Sequence, residues 1–388
     1  MRAFYHRLRW NVQFTRILNV HFLFYIPSPM DWKLPDRARK GRSAVSNRAG
    51  RFEANSFEAV DDGWTREVEE LEQISTTLTV DTARKVISRN QSPDVPFDRS
   101  INPYRGCEHG CIYCFARPTH AYYGLSPGLD FETKLFYKPD AAERLRKELH
   151  DLKYQVDVMA LGTNTDPYQP IEREQKLTRR ILEVLAAYNH PFGIVTKSDL
   201  VLRDADIIAP MAEKGMAVVT LSVTTLDRDL ARKLKPRAPT PPKRLAAIGT
   251  LAALRIPTGV LTAPMIPALN DMELERILEA AAKAGASGAG YVLLRLPLEI
   301  ADLFKEWLET HYPDKADHVL SLVKQTRDGA MYDSRWGQRA VGVGPNADLL
   351  NQRFKLALRK YGLDRRSLDL DLEQFERPPQ KGDQLALF

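Results

Sequence analysis

Residues 105–114 read Arg-Gly-Cys-Glu-His-Gly-Cys-Ile-Tyr-Cys, and they hold all three cysteines of the 388-residue chain: Cys107, Cys111 and Cys114. Three thiolates at C-x3-C-x2-C spacing supply three ligands to a metal or cluster and leave one coordination position open. Iron–sulfur clusters are held by Cys thiolates, ordinarily four. Three with no fourth point to a [4Fe-4S] cluster whose last iron binds something other than a protein thiol. The competing reading is a Zn site of three Cys and one His, with His109 or His120 as the fourth ligand. A disulfide framework fits worse, because the count is odd and the spacings are short.

Outward from this loop, β-rich runs alternate with helical patterns from about 97 to 300. Strands are expected at 99–103, 156–162, 192–197, 217–223, 258–264 and 290–296. Helices are expected between them at 141–152, 174–188, 204–215, 241–254 and 271–285. Such alternation predicts βαβ units and a parallel sheet. Periodicity alone does not separate a barrel from an open doubly wound sheet. Residues 301–325 read as helical, 335–363 as a Gly-rich loop and helix, and 364–383 as polar and loose.

In βα barrels the chemistry sits at the C-terminal ends of strands. The cysteine loop follows the first strand, and residues 162–170 follow the second. Lys197 and Ser198 end the third; Ser222, Thr224 and Thr225 end the fourth; Thr262 ends the fifth and Arg295 the sixth.

The triad, with Tyr113 at the aromatic position before its last cysteine, resembles the radical S-adenosylmethionine (SAM) superfamily. There the open iron chelates the amino and carboxylate groups of SAM, and an electron cleaves SAM to methionine and a 5'-deoxyadenosyl radical. The resemblance implies an α/β fold, a partial (β/α)6 TIM-like barrel, flanked by an N-terminal basic arm and a C-terminal helical extension. The run NPYRGCEHGCIYC (102–114), then TDPYQPIE (165–172), VTKSD (195–199) and SVTT (222–225), is similar to the branch that contains spore photoproduct lyase and DNA-repair photolyase-like proteins. Carried over, Thr165 and Asp166 match the positions that hold the SAM amino group. Lys197 matches the lysine near the SAM carboxylate, and Ser222 a polar contact at the fourth strand's end. An ammonium wants a carboxylate and a carboxylate wants a cation. The competing readings are a turn or helix-cap role for Asp166 and solvated strand ends for Lys197 and Ser222. The sequence departs from that branch in one respect: photoproduct lyases use a further cysteine as a hydrogen-atom donor, and none remains here. Thr163 stands in that vicinity, and Tyr168, Tyr291 or Tyr332 are the candidate relays. Around the loop, Arg105, Arg117 and His120 are expected as a polar rim, and His109 as a tuner of the cluster. Arg335, Trp336 and Arg339 are expected to grip phosphates and stack a base; the competing reading is a structural loop packed on the barrel mouth.

Hydrophobic content of 44% with 27% charged residues is an ordinary globular balance. The net charge of +6 is uneven: residues 1–52 carry eleven Lys/Arg against two Asp/Glu, leaving the rest net negative. Basic arms meet nucleic acid through phosphates; solvated disorder is the plain alternative. The domains expected are an arm over 1–75 with Met30 as an alternative start, a core over 76–330 and an extension over 331–388. The apolar run 16–27 is short and broken by Asn19 and His21, unlike a signal peptide. A cytoplasmic protein with no membrane span is expected.

The tail Gln384-Leu385-Ala386-Leu387-Phe388 resembles the peptide that docks on the bacterial sliding clamp, with Leu385, Leu387 and Phe388 as apolar anchors and Gln384 fixing register. The function expected is a radical SAM enzyme, lyase-like, acting on DNA or RNA in repair, reduced by a flavodoxin- or ferredoxin-type partner. Two alternatives stand beside it: the same chemistry on protein, tRNA or a metabolite, and a non-catalytic metal or redox module recruited to the clamp.

Overall fold

The computed structural model describes residues 38–53, 74–364 and 369–379. The alternative start at Met30, most of the basic arm and the clamp-like tail lie outside the described residues.

Ten strands are present among the described residues: β1 (Thr77–Val80), β2 (Ile87–Arg89), β3 (Arg99–Ile101), β4 (Tyr104–Arg105), β5 (Lys134–Tyr137), β6 (Met159–Leu161), β7 (Phe192–Thr196), β8 (Ala217–Ser222), β9 (Thr258–Met265) and β10 (Gly288–Leu293). Seven form one sheet in the order β10-β9-β8-β7-β6-β3-β2. Only β2 is antiparallel there. The other six are parallel and follow one another in chain order. A doubly wound sheet reverses its strand order at a switch point; this one never does. The result is an open, singly wound arc, the partial TIM-like barrel.

Side-chain alternation explains the curvature. Met159, Leu161, Phe192, Ile194, Val219, Leu221 and Val260 belong to the buried core under the helices. Each such side chain contributes about 1.5–3 kcal/mol by leaving water. The inner face carries small residues, among them Ala160, Gly193, Val218, Gly259 and Gly290, around a lumen of about 910 Å³.

The covering helices include α2 (Ala141–His150), α4 (Leu177–Ala187), α5 (Ala205–Glu213), α7 (Pro241–Ala253) and α8 (Leu274–Lys283). Their apolar spacing is helical. Leu274, Ile277, Leu278 and Ala281 line one face of α8, while Glu279 and Lys283 pair at 2.6 Å on the solvent side. Short helices α1 (Asp130–Thr133), α3 (Glu172–Gln175) and α6 (Arg228–Leu234) punctuate the loops. The helix expected at 301–325 is two, α9 (Ile300–His311) and α10 (Pro313–Gln325), because Pro313 ends one and opens the next. α11 (Pro345–Tyr361) follows the Gly-rich loop and packs Phe354 on Tyr291 of β10.

Three expectations are corrected. A second, three-stranded sheet, β1-β5-β4, flanks the cysteine loop; its strands are too short to announce themselves. Residues 38–53 are no loose arm: Ser43, Ala44, Val45 and Ser46 are buried. Residues 369–379 are not loose either. They run as a strap under the barrel, with Asp371 N donating to Gly215 O and Glu376 N to Tyr188 O. Arg377 bonds the carbonyls of Leu149, Asp151 and Tyr154. Among the described residues no helix is long and apolar enough to cross a membrane.

Candidate active site

The three thiols line one cavity of about 270 Å³ at the C-terminal end of the barrel. Cys107 and Cys111 are buried and Cys114 is nearly so. The loop that carries them is pinned from beneath. Arg117 and Glu132, both with fully buried side chains, pair at 2.5 Å. Arg117 also donates to the carbonyls of Cys111, Pro127 and Gly128 at 2.8–3.0 Å. Glu132 in turn accepts from the backbone N–H of Ser43 and Ala44 at 3.1 and 3.0 Å, and from the Ser43 hydroxyl. Gly110 has φ +61°, and a Cβ there would lie 2.6 Å from Glu132 Oε2. The cysteine loop is thus locked against an N-terminal segment by a buried ion pair.

The loop after β6 is built around Asp166. Its Oδ1 accepts from Tyr168 N at 3.0 Å and from the Thr196 hydroxyl at 2.6 Å. Its Oδ2 accepts from Lys197 N at 2.8 Å. His109 Nδ1 lies 3.3 Å from Oδ2, off the line of a hydrogen bond. Burial alone would push this carboxyl up; His109, Lys197 and Thr196 outweigh it and hold it well below the usual carboxylate range. The carboxylate therefore orders the loop as well as bordering the cavity. Gly162 lets the two strand ends approach: a Cβ there would collide with Val195 O, and its φ is +87°. Thr165 is buried and donates to Tyr104 O at 2.9 Å.

Lys197 lines the same cavity, and no hydrogen-bond acceptor or ion pair for its ammonium is found among the described residues. Burial pushes that ammonium down, but the thiols of Cys111, Cys114 and Cys107 with Asp166 outweigh it, so its pKa is raised. Ser222 lines the cavity, and its carbonyl accepts from buried Arg244 at 3.0 Å. Tyr113 is buried on the cavity wall, its hydroxyl 3.5 Å from the Thr224 hydroxyl.

Several expected residues serve elsewhere. Tyr168 is buried and donates to Asp204 at 3.0 Å. Glu172, also buried, accepts from Tyr104 and from the first N–H groups of α4, so it caps that helix. Thr224 bonds Ala263 O and Thr225 bonds Glu273 past the end of β8, whereas Thr262 lies within β9, which runs on to Met265, and bonds Gly290 O of β10. Arg117 and His120 are interior groups, not a rim; His120 Nε2 lies 2.8 Å from Lys134 O. Arg105 pairs with Asp81 at 2.6 Å. Arg335 pairs with Asp328 and Asp333, and Arg339 with Asp94, so both expected phosphate contacts already carry carboxylate partners.

Sequence reading missed Lys235, whose buried ammonium donates to the Thr224 hydroxyl at 2.5 Å behind Tyr113. Burial pushes that ammonium well down. It also missed Ser43 and Glu132, for which no spacing gives a signal.

Three thiols on one cavity wall are a donor set that fits an iron–sulfur cluster. Among the described residues no group of three His, Cys, Asp or Glu placed to hold a metal ion is found. The thiols share the wall of a cavity that His109 also lines; His120 Nε2 lies 2.8 Å from Lys134 O, and His109 Nδ1 lies 3.3 Å from Asp166 without a hydrogen bond. Burial pushes the Cys107 and Cys114 thiols up, so binding iron would release their protons.

A family model described as the Radical SAM superfamily matches residues 101–281. An uncharacterized protein of Mycobacterium tuberculosis is 38% identical over 233 residues, 60% of this chain and 68% of the relative. Another of Methanocaldococcus jannaschii is 30% identical over 237 residues, 61% of this chain and 84% of the relative. Among solved structures, spore photoproduct lyase complexed with dinucleoside spore photoproduct matches with a TM-score of 0.53 at 17% identity, covering 73% of this chain and 79% of that one. A double mutant of that lyase with bound AdoMet and the same dinucleoside matches with a TM-score of 0.52 at 17% identity over the same shares. At this identity the likeness is one of fold.

Proposed function

The chain belongs to the radical SAM superfamily, and from that premise we propose that it holds a [4Fe-4S] cluster on Cys107, Cys111 and Cys114 and uses it to activate SAM against a nucleic-acid substrate. The observation that carries the reading is one cavity shared by three thiols, two of them buried, with the Asp166 loop, Ser222 and the ammonium of Lys197, which has no direct partner among the described residues. The cluster, when bound, supplies the electron that cleaves SAM to methionine and a 5'-deoxyadenosyl radical, which takes a hydrogen atom from substrate.

The protein's part is to orient and to exclude water. Lys197 meets the SAM carboxylate as its counter-cation. The Thr165–Asp166 loop meets the amino group, with Asp166 held ionised by its own donors. Ser222 and Tyr113 border the same space. Phe97, Val195, Leu261 and Val292 make its apolar wall. The sequence has no fourth cysteine, so no protein thiol returns a hydrogen atom. Of the candidate tyrosines, Tyr168 is taken by Asp204, and Tyr332 lies near Arg295 at the cavity mouth. The basic arm, a flavodoxin- or ferredoxin-type reductant and sliding-clamp docking through Gln384, Leu385, Leu387 and Phe388 complete the proposal, as does a core domain over 76–330.

Anaerobic reconstitution with iron and sulfide, then SAM and dithionite, tests it. Wild type should form 5'-deoxyadenosine and the Cys111→Ala variant none. A colourless protein that forms no 5'-deoxyadenosine would refute the reading.

A further inference from the structure

Two cations line the cavity, and SAM has one carboxylate. Lys197 is accounted for above. Arg295 is the second, and it follows β10, an edge strand of the arc. Its backbone is fixed: Leu294 N donates to Met265 O at 2.9 Å, and buried Arg327 donates to Leu294 O at 2.8 Å. Its guanidinium lies over the ring of Phe115, 4.8 Å from the centroid. Phe115 directly follows Cys114 and is 45% exposed. No hydrogen-bond acceptor or carboxylate partner of Arg295 is found among the described residues.

Resting on the radical SAM reading, we propose that Arg295 is the anchor for a phosphate of the substrate, held at the cavity mouth beside the cluster, so that the enzyme accepts a nucleotide unit and rejects its uncharged counterpart. A guanidinium is planar, always charged and matched to two phosphate oxygens, and it keeps its in-plane donors when an aromatic ring covers one face. A half-buried cation with Asp94 acting on it only at a distance, and no direct ion pair among the described residues, is costly, and an incoming anion repays that cost. Burial pushes this guanidinium down and Arg339 adds to the effect, with Tyr332, Asp94 and Cys114 opposing. The nearby arginines already carry carboxylate partners. Arg339 is bound to Asp94 and Ser92, and Arg335 to Asp328 and Asp333. Those pairs tether the bordering loop, whose Gly337 N also donates to Asp94 at 2.6 Å, and leave Trp336 62% exposed on it. Trp336 offers a surface on which a base can stack.

Arg295→Gln, Arg295→Lys and wild type, each reconstituted as the full chain, are compared by equilibrium binding of thymidylyl-thymidine, of its uncharged methylphosphonate analogue and of SAM. Iron content and circular dichroism confirm that each variant is folded. Expected is a loss of about tenfold or more for thymidylyl-thymidine in Arg295→Gln, a smaller loss in Arg295→Lys, and wild-type preference for the charged probe. SAM affinity should hold in all three. The proposal is overturned if the charged probe binds wild type and Arg295→Gln equally, if wild type does not distinguish the two probes or binds neither at millimolar concentration, or if SAM affinity falls in Arg295→Gln, which would make this residue the cofactor's carboxylate partner. Failure of the radical SAM reading would show separately, as wild type that binds no SAM.

Discussion

Neutralising Glu132 isolates the part of the site that no cysteine supplies. Glu132→Gln keeps the volume but leaves Arg117 as a buried cation beneath the cluster loop. Breaking a buried pair from one side costs about 3–5 kcal/mol. Urea unfolding should show that loss, and iron content after reconstitution should fall with it. Asp166→Ala is a different lesion: it removes the acceptor of three hydrogen bonds in the loop after β6. We expect 5'-deoxyadenosine formation to drop a hundredfold or more while iron content stays near normal; unchanged turnover would count against the SAM reading of this cavity. His190 gives a pH signature. Its Nδ1 lies 3.0 Å from Pro191 O, and Nε2 lies 2.7 Å from the Tyr154 hydroxyl, which suits the neutral ring. Burial lowers its pKa from 6.5 to about 4. The unfolded chain then binds more protons between those values, so stability is full above pH 6.5 and falls as pH drops toward 4. The loss is on the order of 3 kcal/mol, and His190→Phe should flatten that part of a stability–pH curve. At this scale the cysteines were legible because their spacing is itself the chemistry. Glu132 was not, because its partner Ser43 lies 89 residues away.

Elements were legible where one period ran long enough. The six parallel strands and the amphipathic helices stand where alternation and 3.6-residue spacing put them. Breaks inside a period were harder to see. The helix expected over 174–188 divides at Lys176, whose φ is +50°, so α3 and α4 meet at a corner. The strap at 369–379 was misread as loose because polar composition conceals what holds it. Arg377 bonds three carbonyls, and Phe375 packs edge-on to His190 at 5.6 Å and beside Tyr188 at 6.3 Å. Phe375→Ala should cost about 2 kcal/mol, less than a fully buried phenylalanine. Thermal unfolding should register it, and the yield of cluster should not, because the strap lies at the end of the barrel away from the thiols.

For the whole molecule, sequential strand order leaves the arc open between β10 and β2, and small inner residues leave it hollow. Phe97, Thr163, Val195 and Leu261 border both the lumen and the thiol-lined cavity, so the two spaces adjoin. The fold class followed from alternation plus the cysteine loop; the hollow interior did not, since it depends on which alternate residues face inward. If the basic arm meets phosphates, deleting residues 1–37 should weaken oligonucleotide binding and reduce the slope of log affinity against log salt by about one per lost contact. The strap carries a further consequence, for biosynthesis. Arg377 reaches back 228 residues to Leu149. The floor of the barrel is therefore laid by chain made after every one of its walls. A nascent protein holds a complete cysteine loop and six strands while its base still gapes, and residues 369–379 cover that base only afterwards. Quality control that samples unfinished chains would meet that gap first, at the end remote from the cysteine loop.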